Sequence, residues 1–218
     1  MLFDQLHIPP FCGLCRRLCD FRDQNALKKP AYHNAPVGSF GDLLARFLIV
    51  GLAPGFSGAN ATGRPFTGDY AGEVLYPALI THGLAVGDYQ ARADDGLRLI
   101  DTRITNTVRC VPPQNQPTPQ EIRTCSAFLA QEIQAMPHLS VILTLGKVAY
   151  DTTLRLLGGS PARAPFAHGI LKQQGHYTLI ASYHTSRYNI NTGRLTKAMF
   201  DDIMHIVLEK LNPTAHRS

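Results

Sequence analysis

The sequence predicts an α/β domain, a three-layer α/β/α sandwich around a central four-stranded parallel sheet, and three observations carry that prediction. Four strand-length runs recur along the chain, helical patterns fill the intervals between them, and the runs are largely apolar, as in strands covered on both faces. They are residues 46–52 (RFLIVGL), 101–108 (DTRITNTV), 139–145 (LSVILTL) and 178–183 (TLIASY), each rich in Val, Ile, Leu or Thr.

The helices follow in order. Residues 72–83 read as helical after the first strand. "TPQEIRTCSAFLAQEIQAM" (118–136) offers Thr118 as N-cap, Pro119 at the first helical position and Glu121 closing a capping box ahead of Ile122, Phe128, Leu129 and Ile133. Residues 147–157 form a further helix, stopped by Gly158 and Gly159. The last, 195–211, sets Leu195, Met199, Ile203, Ile206, Val207 and Leu211 on one stripe.

Length and composition fit this architecture. The 218 residues suit one domain, 1–218, with an N-terminal cysteine-bearing segment; 44% hydrophobic and 17% charged residues are ordinary for a soluble protein. No apolar stretch reaches the roughly 20 residues of a membrane span, and "MLFDQLHIPPFC" lacks the basic and apolar regions of a leader, so a cytoplasmic protein without a membrane partner is expected. A net charge of +5 is a mild bias toward polyanions. It excludes little alone.

In an open parallel sheet ligands bind beyond the carboxyl ends of the strands. Each unusual segment falls at such an end: "VGLAPGFSGANATGRPFTGD" (50–69) after the first strand, Asn106 near the end of the second, Gly146-Lys147 after the third and "SYHTSRYNINTGRLT" (182–196) after the fourth. One cleft is expected to collect them. The first loop has neither the G-x-x-x-x-G-K-[ST] nor the G-x-G-x-x-G spacing of the common phosphate cradles.

Five cysteines in a reducing compartment point to metal chemistry rather than a disulfide framework. Cys12 and Cys15 form C-x2-C; Cys110 and Cys125 lie at the end of the second strand and on the following helix. Both zinc and a [4Fe-4S] cluster accept four thiolates, and the long second spacing favours the cluster over a compact zinc module. Cys110 and Cys125 as small core residues are the alternative. Cys19 is a spare that can replace one ligand.

With both loops in view the chain resembles the uracil-DNA glycosylase superfamily, and most closely its type B (family 5) branch. The resemblance rests on "GLAPGFSGANATGRPFTGD", "ITNTVRCVPPQN", "YHTSRYNINTGRLT" and the four cysteine positions, from Cys12 to Thr196. It implies a bacterial or archaeal repair enzyme with a structural [4Fe-4S] cluster held by Cys12, Cys15, Cys110 and Cys125. The partner it implies is double-stranded DNA containing uracil or other deaminated bases such as hypoxanthine, engaged by a monomer.

The glycine-rich loop would let backbone approach a nucleotide rotated out of the duplex. Phe66 is the stacking platform that the resemblance implies, and Asn106 can offer donor and acceptor to a pyrimidine edge. Hydrolysis of the bond to deoxyribose builds positive charge on the sugar and negative charge on the base. His184 would donate to the base oxygen. Many relatives place an acidic or amide residue where this chain has Leu52 and Ala53; the resemblance to type B offers Asp69 instead, to orient water or stabilise the sugar. Capping of the next helix is its structural alternative. Backbone near Gly55 and Ser57 could hold water or phosphate. Arg187, Tyr188, Asn189 and Asn191 form the expected duplex-probing loop, with Tyr188 or Ile190 as wedge. Thr185 departs from a common family Pro. No lysine is poised for Schiff-base chemistry, so a monofunctional glycosylase is expected, with a type A enzyme or a non-enzymatic DNA-binding repair factor as alternatives.

Overall fold

The computed structural model describes residues 8–212, so both ends of the expected 1–218 domain lie outside the described residues. In chain order the elements are α1 (Arg16–Lys28), β1 (Phe40–Gly41), β2 (Phe47–Gly51), α2 (Ala59–Thr62), α3 (Tyr70–Thr81), β3 (Ala85–Val86), β4 (Arg98–Leu99), β5 (Thr102–Asn106), α4 (Pro119–Ala135), β6 (Val141–Leu145), α5 (Lys147–Leu156), β7 (Leu171–Gln174), β8 (Tyr177–Ser182), α6 (Arg187–Asn191) and α7 (Lys197–Leu211).

The four apolar runs become β2, β5, β6 and β8, which lie side by side and parallel in the order β5-β2-β6-β8. The sheet nevertheless has six strands. β1 adds antiparallel to β5 at one edge and β7 adds antiparallel to β8 at the other, the latter through a tight turn at Gly175. β3 and β4 pair as a separate hairpin.

Side-chain alternation builds the three layers. Phe47 and Ile49 of β2 face one core with Leu75 and Leu79 of α3 and Phe200, Ile203 and Val207 of α7. Leu48 and Val50 face the other, with Leu129 and Ile133 of α4 and Tyr150 and Leu154 of α5. Phe47 is fully buried, and Phe47→Ala should cost about 3–5 kcal/mol in lost transfer energy and cavity. Helix α4 begins where the capping box predicts: Thr118 Oγ1 accepts from the Glu121 backbone N–H, and the Glu121 carboxylate accepts from that of Thr118.

Three helices depart from expectation, the shortest being α2, a single turn inside the expected loop 50–69. The sequence does not mark 16–28 as helical, because the segment buries only a narrow stripe, Leu18, Arg22 and Asn25. It is pinned instead by Arg17, whose guanidinium donates two hydrogen bonds to Glu121 at 2.8 and 2.6 Å. The expected loop after His184 contains α6, which Ser186 caps by accepting from the Asn189 N–H. Among the described residues no helix is long and apolar enough to cross a membrane.

Candidate active site

The carboxyl ends of β2, β5 and β8 open into a cavity of about 550 Å³. The end of β6 stays outside it, contrary to the single cleft expected from all four ends. The Gly146 N–H is taken up by the Ser182 carbonyl, and Lys147 pairs with Asp151 one turn along its own helix. Lys147 therefore points its charge along α5 rather than toward the cavity.

The first loop supplies the deepest groups. Phe66 is 6% exposed and holds a left-handed backbone, φ +53°, which is costly for a residue with a side chain. Its ring faces that of His184, with centroids 5.9 Å apart and planes inclined by 28°. Asn106, the last residue of β5, is buried beside them. Gly51 makes that arrangement possible: a Cβ there would stand 2.3 Å from Asn106 Oδ1 and 2.5 Å from Phe66 Cζ. The floor of the cavity needs glycine at this point.

Asp69 caps α3, accepting from the Gly72 N–H at 3.3 Å, and also lines the cavity. Capping and exposure to the cavity are thus held by the same side chain. The loop folds closely around it, since a Cβ at Gly58 would meet Asp69 Oδ2 at 2.4 Å and one at Gly55 at 3.1 Å. Burial pushes its pKa up, opposed by hydrogen bonds from the Gly72 and Ala71 N–H groups. Leu52 and Ala53 line the wall with apolar atoms.

From the second loop His184 enters the cavity, where loss of hydration pushes its pKa down to about 4. The ring is neutral at pH 7. Its position is fixed by neighbours: Asn189 Nδ2 donates to the His184 carbonyl at 2.8 Å, and the Thr185 hydroxyl donates to the Ala71 carbonyl at 3.2 Å, tying the loop to α3.

The remaining predicted residues spread over the rim. Gly55 and Ser57 line one lip, and Arg187 the opposite one, its guanidinium 5.1 Å above the Tyr70 ring. Tyr188 is 70% exposed and lies outside the cavity lining, whereas Ile190 packs inward against the core. Asn189 spends its amide on the backbone, and Asn191 is exposed at the end of α6. Sequence reasoning missed Asn115, which lines the cavity from the turn Pro113–Asn115 with φ +56°. Its signal was an Asn after two prolines, a residue type that tolerates left-handed backbone.

The four predicted ligand cysteines gather away from this cavity. Cys12, Cys15, Cys110 and Cys125 line a second, small cavity together with Cys19, and all five thiols are free. Burial, reinforced by the neighbouring sulfurs, pushes Cys15 up to about 11. Cys110 is pushed up to about 12 by burial, against the charge of Arg22. Donors point at the sulfurs: the Arg109 N–H lies 3.3 Å from Cys125 Sγ and Arg22 Nη1 lies 3.6 Å from Cys110 Sγ. Among the described residues no three His, Cys, Asp or Glu side chains converge as a site for one metal ion.

Comparison with known proteins bears on this geometry. The model of the uracil DNA glycosylase superfamily matches residues 39–207. A type-5 uracil-DNA glycosylase of Thermus thermophilus is 42% identical over 199 residues, covering 88% of this chain and 90% of that protein. In Pyrobaculum aerophilum a type-5 uracil-DNA glycosylase is 38% identical over 88% of this chain and 86% of its own length. A type-4 uracil-DNA glycosylase of the same organism is 34% identical, over 58% of this chain and 57% of its own. The family match spans both loops and the three strand ends that carry Phe66, Asn106, Asp69 and His184, and the chain belongs to the uracil-DNA glycosylase superfamily.

Proposed function

We propose that this protein is a monofunctional type B (family 5) uracil-DNA glycosylase that hydrolyses the N-glycosidic bond of uracil, and of other deaminated bases such as hypoxanthine, in double-stranded DNA. The observation that carries the reading is that Phe66, Asn106, Asp69 and His184 share one cavity although they come from three strand ends and a helix start.

The residues divide the work by chemistry. Phe66 offers its ring as a stacking face for an extruded base, and Asn106 offers an amide to the base edge. As the bond from C1′ to the base nitrogen breaks, its electron pair leaves with the base, whose oxygen becomes more negative. His184, neutral because burial holds its pKa near 4, donates a hydrogen bond there through its remaining ring N–H. Asp69 faces the same space as a carboxylate, where it stabilises the cationic sugar or orients the water that attacks C1′. That water delivers hydroxide to the sugar, its proton is released, and an abasic site remains. The lining residues include no lysine, which supports attack by water over a Schiff base.

Outside the cavity, Arg187 and the exposed Tyr188 provide a cation and a wedge for the duplex, with backbone near Gly55 and Ser57 available to phosphate.

A [4Fe-4S] cluster fits the cysteine corner. The donor set is four thiols around one cavity, with N–H donors directed at two sulfurs, as cluster thiolates require. The long sequence spacing between Cys110 and Cys125 favours a cluster over a compact zinc module. Cys12, Cys15, Cys110 and Cys125 would hold it. Bound there, the cluster supplies a structural cross-link. Purified protein should show the broad visible absorbance of an iron–sulfur cluster, absent in Cys110→Ser; a colourless protein carrying zinc overturns this assignment.

The functional test is incubation with uracil-containing and hypoxanthine-containing duplexes followed by alkaline cleavage of abasic sites. Cleavage of both is expected. Cleavage of uracil alone assigns the narrower type A activity, and tight binding without cleavage assigns a non-enzymatic repair factor, the reading that apolar Leu52 and Ala53 would favour.

A further inference from the structure

Behind the wall that carries Phe66 and Asp69 lies a buried polar network that none of the chemistry above uses. Arg64 and Asp95 form a two-pronged ion pair, 2.7 Å on each prong, with side chains 5% and 0% exposed. Asp95 belongs to the segment joining β3 to β4 and is itself fixed by the N–H groups of Gln90 and Leu97. Three aromatic rings, Phe40, Tyr76 and Tyr89, surround the Arg64 guanidinium at 5.1, 5.2 and 5.9 Å.

On the cavity side the network ends on the backbone or hydroxyl of residues 65–68. Arg64 Nε donates to Thr67 Oγ1 at 2.8 Å, and Tyr76 Oη donates to the Pro65 carbonyl at 2.6 Å. Tyr89 Oη donates to the Phe66 carbonyl and accepts from the Gly68 N–H, both at 3.3 Å. Tyr89 thus spans the residues on either side of Thr67 with one oxygen. Phe66, one of the two residues spanned, has the left-handed backbone that costs free energy unless its surroundings enforce it. The neighbouring Gly72 leaves room for that oxygen, since a Cβ there would stand 2.4 Å from Tyr89 Oη and 1.8 Å from the Phe66 carbonyl oxygen.

We propose that Tyr89, braced by the buried Arg64–Asp95 pair, is a positioning residue for excision: it holds the strained arc Phe66–Asp69 so that the stacking ring and the carboxylate meet the substrate together. The inference rests on the glycosylase reading above. A structural brace would lower stability when weakened; a positioning brace lowers the rate of the bound complex as well. Tyr89 lies outside the cavity lining, so its effect passes through Phe66 and Asp69.

The test is single-turnover excision from a uracil duplex as a function of enzyme concentration, for wild type, Tyr89→Phe and Tyr150→Phe. Tyr89→Phe keeps the ring stacked on Tyr76, 4.6 Å away, and removes only the hydroxyl. Tyr150→Phe is the matched control: it removes a buried hydroxyl that donates to the Ala164 carbonyl in the opposite core. Tyr89→Phe is expected to lower the maximal rate about tenfold, because small misplacements of reacting groups are costly, while half-saturation stays unchanged. Tyr150→Phe should leave both values unchanged. A maximal rate for Tyr89→Phe within about twofold of wild type, or an equal loss in Tyr150→Phe, overturns the proposal. Inactivity of the wild type overturns the glycosylase reading itself, and the positioning role falls with it.

Discussion

The two loops that meet in the cavity are built on opposite terms. The first, residues 50–69, is clamped from behind: Thr62, Arg64, Tyr76 and Tyr89 all bond to residues 64–68, and glycines let the chain close around Asp69 and Asn106. The second, residues 184–193, has a single side-chain hydrogen bond to the rest of the molecule, Thr185 to Ala71, is otherwise seated by Ile190, by Arg187 over Tyr70 and by the stack of His184 on Phe66, and leaves Tyr188 and Asn191 facing solvent. A fixed half suits groups that must be preorganised for charge development; an open half suits groups that must first find a duplex. His184 is the exception in the second loop: its carbonyl accepts from Asn189, and the next residue, Thr185, is tied to α3.

That contrast predicts where substitutions act. The largest effect belongs to Asp69→Asn, which keeps an acceptor for the α3 cap but removes the charge; single-turnover excision should fall about 10²-fold with little change in Tm. Gly51→Ala comes next. Its Cβ would collide with Asn106 and Phe66 at 2.3 and 2.5 Å, so the maximal rate should drop about tenfold or more while duplex affinity holds. On the open side Tyr188→Ala should do the reverse, weakening duplex binding by about 1 kcal/mol, read in a fluorescence titration, with the bound complex reacting at its normal rate. A loss of maximal rate in Tyr188→Ala equal to that in Gly51→Ala would erase the contrast.

The smallest expected effect is on pH. His184 sits near 4 against an ordinary 6.5, so its ring stays neutral through neutrality and the rate should show no inflection at 6.5. Because the folded value is depressed, the stability that depends on a neutral ring is full above 6.5 and is lost as pH falls toward about 4. An acidic limb centred on 6.5 that disappears in His184→Asn would show that the histidinium forms in the cavity after all. Any acid limb should instead follow Asp69, whose buried carboxyl takes up its proton above the usual carboxylate range.

Much of this was legible because the deciding signals were local. Short runs rich in Val, Ile, Leu or Thr marked the four parallel strands, and Thr118, Pro119 and Glu121 marked the start of α4. The edge strands escaped because β1 is two residues long and β7 reads LKQQ, with no apolar face to betray it. Helix α6 escaped because "RYNIN" has weak helix preference and depends on the Ser186 cap. Strand ends, with the family resemblance singling out Phe66 and Asp69, foretold the shared cavity of Phe66, Asn106, Asp69 and His184, but not the spare end of β6, whose lysine pairs within its own helix. The brace behind Phe66 could not be read at all. Arg64 and Asp95 stand 31 residues apart, and nothing in either neighbourhood announces a buried partner.

The most direct test of the account is a crystal structure of Asp69→Asn bound to a duplex containing uracil. The uracil should lie outside the helix, its face on the Phe66 ring and its edge at Asn106 and His184, with Tyr188 beside the vacated position. A uracil still stacked in the duplex, or seated away from those three side chains, would contradict the claim that the two loops enclose one base.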